Sequence, residues 1–298
     1  MSTILISGGS GMIGTALSEE LEKRGHSVRH LSRERKRGRY EVYEWNVDRS
    51  TIDDDALRGV DHIVHLAGAG IADKRWSDDR VKMLIDSRAK AARILLQKAT
   101  AIGIRPKSFI SAAGVGYYGA ITSDQVYNEE DPAGSDTLAR ISREWENAVR
   151  EWESICRTVR VRTPVVLSRK DGALDRLAAP VKWGLGAALG SGNQWMPWVH
   201  LDDLVAFYVR SIEDSSISGV YNVVAGNVTN KQMMRSIAKV LGRPFFLPNV
   251  PAFALKLALG ELSTILLEGS RVSNKKILTT GHQFRHTGLE NALKDLLR

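Results

Sequence analysis

The chain has 298 residues, 43% of them apolar, enough for one large α/β unit or two ordinary lobes built around a real core. A net charge of +8 and a pI near 9.6 favour an anionic partner, such as a phosphorylated cofactor or a small anionic substrate; nucleic acid competes, but the basic residues are scattered. No stretch approaches the roughly 20 apolar residues of a membrane helix, a strand starts after two residues and leaves no room for a leader, and a lone Cys156 excludes an intramolecular disulfide or cysteine-rich metal site. The expectation is a cytoplasmic protein with no membrane or nucleic-acid partner and no metal; oligomeric state is open.

Thr3–Ser7 reads as a short β-branched strand, and Gly8, Gly11 and Gly14 follow it at three-residue spacing. Residues 12–24 keep apolar side chains at Met12, Ile13, Ala16, Leu17 and Leu21, a helical period, and residues 27–31 read as the next strand. A glycine-rich turn between strand and helix is the context for pyrophosphate binding. The turn needs unusual dihedrals, and a Cβ would hold the phosphates away from the free N–H groups and positive dipole end of the helix. The expected contacts are Gly8, Ser10, Gly11, Met12, Ile13 and Gly14. A basic cluster follows at Arg33, Arg35, Lys36, Arg37 and Arg39, where a solvated loop is the alternative for all but Arg33.

Further strands are expected at 41–45, 61–66, 108–112 and 158–167, with helices at 78–101 and 137–154 between them. Strands alternating with helices predict a Rossmann-like, doubly wound parallel sheet, with the ligand crevice at the carboxyl ends of its strands. After Ser168 the texture changes to glycine-rich loops with Gly184, Gly186, Gly190 and Gly192. Residues 198–200 and a helix at 202–212, capped by Asp202, then return to the sheet, and 220–224 add a strand. From Thr229 short helices separated by prolines suggest a smaller C-terminal substrate lobe. The expected division is 1–167 plus 196–226 for the dinucleotide-binding domain and 168–195 plus 227–298 for the lobe.

The segments SGGSGMIG, HLAG, SAAGVGYYG and WVHLDDL resemble the extended short-chain dehydrogenase/reductase superfamily. LAGAGIADKRW (66–76), DSR (86–88), GYYG (116–119), REWE (143–146), LGSGNQWMPWVHLDDL (189–204) and the tail TTGHQFRHTGLENALKDLL narrow the resemblance to its atypical SDR39U1-type, YfcH-like epimerase family. The similarity runs end to end. It implies a domain carrying NAD(P) and a separate substrate lobe, without fixing the reaction. By position it also implies cofactor contacts at Leu66, Ala67 and Gly68, at Pro164, Val165 and Leu167 beside the nicotinamide, and at Arg88, for which a surface arginine is the alternative.

Charge argues for the cofactor's identity. A ribose 2′-hydroxyl is bonded by an acidic residue at the end of the second strand, whereas a 2′-phosphate needs a cation. That strand ends Leu31-Ser32-Arg33, so NADP(H) is expected, held by the Ser32 hydroxyl and the Arg33 guanidinium.

Hydride-transferring members of the superfamily use a serine after the fifth strand and Tyr-x-x-x-Lys on the next helix. The lysine lowers the phenol's pKa for proton exchange with substrate. Here Ala113 falls at or beside the serine position and Leu138 and Ser142 at the other two; a slip to Arg143 finds Ala139 in place of tyrosine. Substitutes on the same rim are Tyr117, Tyr118 and His200 as proton donors, with core packing the alternative for the tyrosines and a hydrogen-bonded structural histidine for His200. Lys74, Arg75, Gln194 and Trp198 are the candidates for binding substrate. Two readings remain: an NADP(H)-dependent oxidoreductase or epimerase acting on a carbonyl, alcohol or nucleotide-sugar, and a noncatalytic NADP(H)-dependent regulator or redox sensor.

Overall fold

The computed structural model describes residues 1–35 and 38–298; Lys36 and Arg37 of the basic cluster lie outside the described residues. In chain order the first half comprises β1 (Thr3–Ser7), α1 (Met12–Lys23), β2 (Ser27–Ser32), β3 (Glu41–Asn46), β4 (Thr51–Ile52), β5 (His62–His65), α2 (Asp78–Ile85), α3 (Ala91–Ala101), β6 (Ser108–Gly114), β7 (Val126–Tyr127) and α4 (Thr137–Arg150). The second half comprises β8 (Arg157–Thr163), β9 (Val165–Leu167), α5 (Ala173–Lys182), β10 (Trp195–His200), α6 (Leu201–Glu213), β11 (Gly219–Asn222), β12 (Gly226–Thr229), α7 (Asn230–Val240), α8 (Ala252–Leu259), α9 (Thr264–Leu267), β13 (Arg271–Val272), α10 (Lys275–Thr279) and α11 (Leu289–Leu297).

The main sheet runs β11-β8-β6-β5-β1-β2-β3-β4, with every pairing parallel except β3 with β4. Chain order reverses at β1, which lies between β2 and β5, so the crevice between the loops after β1 and β5 is the topological switch point. The central strands are buried on both faces, which explains why β1 reads as a continuous apolar run rather than an alternating one, and why β5 buries His62 and His65 as well as Ile63 and Val64. On one face α1 and α6 enclose Ile4, Ile6, Leu17, Leu21 and Phe207; on the other α3 and α4 enclose Leu5, Ile63, Leu95, Phe109 and Trp152.

Two departures from the sequence reading bear on the site. The expected strand at 158–167 is two strands in different sheets. Pro164 has no N–H to continue the ladder, and the chain passes there from the main sheet into a three-stranded sheet, β12-β10-β9. Residues 198–200 therefore pair with β9 and β12, and the chain regains the main sheet at β11. This small sheet, with α5, α7 and α11, encloses a separate core around Leu167, Trp198, Met233, Ile237 and Leu293. The expected long helix at 78–101 is continuous, but its residues Asp86–Lys90, containing the DSR segment, take a π-helical turn. Among the described residues no helix is long and apolar enough to cross a membrane.

Candidate functional site

The glycines of the first turn have separate physical tasks. Gly8 has φ +78°, and a Cβ there would lie 2.8 Å from the Ala67 backbone nitrogen, so the turn can nest against the loop after β5 only without a side chain. A Cβ on Gly14 would collide with the Gly8 carbonyl oxygen and the Gly9 backbone, so its absence lets α1 pack on the turn. Gly11 differs: a Cβ there would meet only the Gly8 oxygen, 3.4 Å away, and otherwise open space. Gly11 is the N-cap of α1 and supplies no side-chain acceptor to the helix's first N–H groups. An exposed, uncapped helix N-terminus at the switch point has the free N–H groups and dipole end that could hold an anion. Ser10 is exposed beside it, and Met12 and Ile13 are half-buried.

The turn is supported from below. Ser18 donates to the Gly14 carbonyl at 2.6 Å and meets His30 Nε2 at 2.8 Å, with the His30 ring directly beneath Gly9. At the end of β2, Ser32 is half-buried and Arg33 exposed, on the strand neighbouring β1.

Across the crevice Leu66 and Ala67 lie against Gly8, and the Leu66 N–H bonds the Ser7 carbonyl at 3.0 Å. Gly68 is exposed above Arg88: a Cβ would fall 2.9 Å from the guanidinium carbon. Arg88, expected to reach the cofactor or the site mouth, is buried beneath this loop. It donates to the carbonyls of Leu84 (3.0 Å) and Ala69 (2.8 Å), and its charge lies over the Trp145 ring at 5.1 Å. Burial lowers its pKa to about 10, with Arg80 adding repulsion. The π turn also positions a group that sequence reading missed. His65 accepts from Ser7 Oγ at Nδ1 (2.7 Å) and donates from Nε2 to the Arg88 carbonyl (3.1 Å), the tautomer these partners require. Complete burial lowers the His65 pKa to about 4, so the ring is a neutral strut.

At the other end of the crevice the slots of the usual proton relay are filled with groups that cannot serve it. A Cβ on Gly116 would strike Leu138 at 2.6 Å, and Ser142, buried, donates to the Leu138 carbonyl at 3.0 Å. The cation here comes from β8. Arg162, 1% exposed, forms a bidentate pair with Glu146 of α4 (2.7 and 3.0 Å), and its third donor reaches the Tyr118 hydroxyl at 2.7 Å. Burial alone would lower the guanidinium pKa, but the bonds and charge of Glu146 outweigh it and raise it.

Tyr118 is accordingly corrected from proton donor to structural phenol. It is fully buried, accepts from Arg162 and donates to Asn222 at 2.8 Å, and burial raises its pKa. Tyr117 remains half-buried, its ring stacked on the Arg162 guanidinium at 3.6 Å. The sequence carried two signals for this network, arginines at alternate positions in the apolar strand TVRVRT and the glutamate of REWE.

The remaining candidates lie apart from these tyrosines or are otherwise engaged. Trp198 is 1% exposed in the core of the small sheet, with its indole under Gly226, so it packs rather than stacks on a ligand. Leu167 is in the same core, Pro164 is buried and Val165 half-buried. Gln194 is buried and donates to the carbonyls of Leu189 (3.0 Å) and Leu266 (2.6 Å), while its Oε1 has no partner. Arg75, expected to meet an anionic substrate, directs its guanidinium to the carbonyls of Leu257 and Ala258 at the end of α8. Lys74 is exposed beside it. His200 caps α6 through Nδ1, which accepts from the Asp202 N–H at 3.1 Å; the cap is thus His200, where Asp202 was expected. A cavity of about 450 Å³ opens at the opposite, amino edge of the sheet between His26, Lys107 and Arg157, whose side-chain nitrogens face Glu213, Asp61 and the carbonyls of α6 and its following turn.

The sequence matches the NAD dependent epimerase/dehydratase family over residues 4–224 and a domain of unknown function, DUF1731, over 250–296. It is 34% identical to the epimerase family protein SDR39U1 of Mus musculus, covering 99% of each chain, and 33% identical to the epimerase family protein YfhF of Bacillus subtilis, covering 99% of this chain and 97% of that one. A crystal structure of human SDR39U1 (isoform 2) with NADPH superposes with a TM-score of 0.89 at 33% identity, over 99% of this chain and 98% of that one. The Thermus thermophilus UDP-glucose 4-epimerase complex with NAD, at 19% identity and a TM-score of 0.76 over 99% of each chain, shares the fold. With its switch-point glycine turn, α/β Rossmann-like sheet and matching C-terminal segment, the chain belongs to the NAD dependent epimerase/dehydratase family, in the SDR39U1/YfhF group that ends in DUF1731.

Proposed function

We propose that the protein binds NADP(H) across the switch point and acts as an oxidoreductase or epimerase on a small, anionic or nucleotide-linked carbonyl or alcohol. The observation that carries the reading is the open, uncapped start of α1 under Gly11, with Ser32 and Arg33 at the end of the adjacent strand. The first receives the pyrophosphate; the second pair bonds the 2′-phosphate. Human SDR39U1, crystallised with NADPH, supports the same cofactor here. When bound, NADP(H) supplies or accepts a hydride.

On this reading the chain's own residues divide as follows. Leu66, Ala67 and Gly68 bring backbone against the cofactor, and Arg88 holds their loop from below; Pro164 and Val165 line the nicotinamide end. Tyr117 exchanges a proton with the substrate oxygen, and Arg162 fixes its ring. The lobe formed by 168–195 and 227–298 supplies the substrate side, with the exposed Lys74 offering a cation to it. The test is NADPH oxidation across a panel of carbonyls and sugar nucleotides. The reading requires a substrate whose turnover is lost in Tyr117→Phe while NADPH affinity stays within about twofold; no turnover across the panel refutes it.

A second reading, a noncatalytic NADP(H)-dependent regulator, is favoured by one observation: Leu138, Ser142 and Tyr118 are all committed to packing or hydrogen bonds within the fold. Recovery of one stoichiometric protein partner only when NADPH is bound, without turnover, selects it.

A further inference from the structure

The C-terminal segment is fastened to the rest of the molecule at His200. The ring is buried; Nδ1 accepts the Asp202 N–H at 3.1 Å, and among the described residues Nε2 makes no hydrogen bond, with Asp295 Oδ2 of α11 lying 3.4 Å away. His286 lies face to face on the ring, with centroids 3.8 Å apart and planes at 20°. Asp203 holds the same segment by accepting the N–H groups of Arg285 (2.7 Å) and His286 (3.0 Å). From α11 a path leads towards the start of α1. The Asp295 carbonyl accepts from Arg169, and Gly172, three residues on, faces Met12, the first residue of α1, with room between them for little more than a Cβ.

The cap fixes the chemistry of the ring. To accept from Asp202, Nδ1 must present a lone pair, so the neutral ring carries its proton on Nε2. A second proton can enter only at Nδ1, where it would face the Asp202 N–H, donor against donor, and the cap would be lost. The same engaged lone pair argues against a metal there, although His200, Asp202 and His286 bring ligand-type atoms within 4.8 Å of one another. The groups facing the ring are the carboxylates of Asp202 and Asp203 on α6 and Asp295 on α11, and the imidazole of His286. Burial, and after it the charge of His286, hold the His200 pKa below its ordinary value against those three carboxylates.

We propose that His200 is a proton-sensitive catch: neutral, it caps α6 and holds residues 282–298 in place; protonated, it releases both and loosens the glycine turn through the Arg169–Gly172 loop. Because the closed form binds the proton less readily than the open one, closure is lost as pH falls below the ordinary histidine value of about 6.5.

The test is hydrogen exchange on the full chain without cofactor, as protection factors, at about pH 8, 6.5 and 5.5. The wild type is expected to lose protection over 282–298 by about fivefold across the last pH unit, the most that one proton with an open-form pKa of about 6.5 can give. His200→Asn, which caps without titrating, is expected to change by less than about twofold. PH-independent protection in the wild type, or the same loss in His200→Asn, overturns the catch. Should His200→Asn not fold, His286→Asn decides: without that neighbour the closed-form pKa moves towards the open-form one, so the loss between pH 6.5 and 5.5 must shrink, and an unchanged loss overturns the proposal. Coupling to the glycine turn is read from NADPH affinity, where the pH dependence of the wild type must exceed that of His200→Asn; equal slopes refute it. The exchange experiment contains no cofactor, so its failure is distinct from failure of the NADP(H) reading.

Discussion

Replacing two glycines of the same turn should separate binding from folding. Gly11 has φ −79° and ψ 170°, dihedrals alanine adopts freely, and its Cβ would make one contact, at 3.4 Å. Gly11→Ala should therefore change stability by no more than about 0.5–1 kcal/mol, the balance of a slightly poorer cap against a less flexible unfolded chain. The added methyl occupies the space above the α1 N-terminus where a pyrophosphate must approach, so NADPH affinity should fall at least about tenfold, or about 1.4 kcal/mol. Gly14→Ala places its methyl against backbone, where no rotamer can relieve the collision, and should cost about 2–3 kcal/mol or more. Urea unfolding gives the stabilities and NADPH fluorescence titration the affinities. A folded Gly11→Ala protein that binds NADPH like the wild type would refute the placement of the pyrophosphate; a fully stable Gly14→Ala would refute the packing of the turn.

Glu146→Gln leaves the buried Arg162 charge without its carboxylate and should lower stability by about 3–5 kcal/mol in urea melts. Tyr118→Phe removes a hydroxyl that bonds both Arg162 and Asn222 and should cost about 1–3 kcal/mol, with NADPH affinity measured alongside unchanged. His62 and His65, both lowered by burial to about 4, bind fewer protons folded than unfolded. Stability must then fall as pH drops from about 6.5 towards 4, by up to about 1.4 kcal/mol per pH unit for each. Denaturant midpoints measured across that range should show a shallower fall in His65→Gln.

The glycine turn, its strand and helix, and the alternation of strands and helices were legible because each leaves a local mark: a β-branched run, a helical period, glycine at fixed spacing. What escaped were groups whose role depends on partners distant in sequence. Arg162 and Glu146 are sixteen residues apart, and only the packing of β8 beside α4 makes them a pair. Tyr118 and Asn222 are separated by 104 residues, so nothing local distinguished a locked phenol from the half-exposed Tyr117 next to it. Pro164 was visible, but it became a point of exit from the sheet only once β9 was seen to pair with β10. The missing proton relay was legible from sequence; the packing of Leu138 against Gly116 explains why its slots leave no room for one.

Ser32 and Arg33 beside the Gly11 turn are proposed to make this an NADP(H) site rather than an NAD(H) one. That proposal is tested most directly by titrating the unmodified chain with NADPH and NADH at fixed low salt. At least about tenfold tighter binding of NADPH, a difference of about 1.4 kcal/mol that shrinks in Arg33→Ala, is the predicted result. Equal affinities for the two cofactors would contradict it.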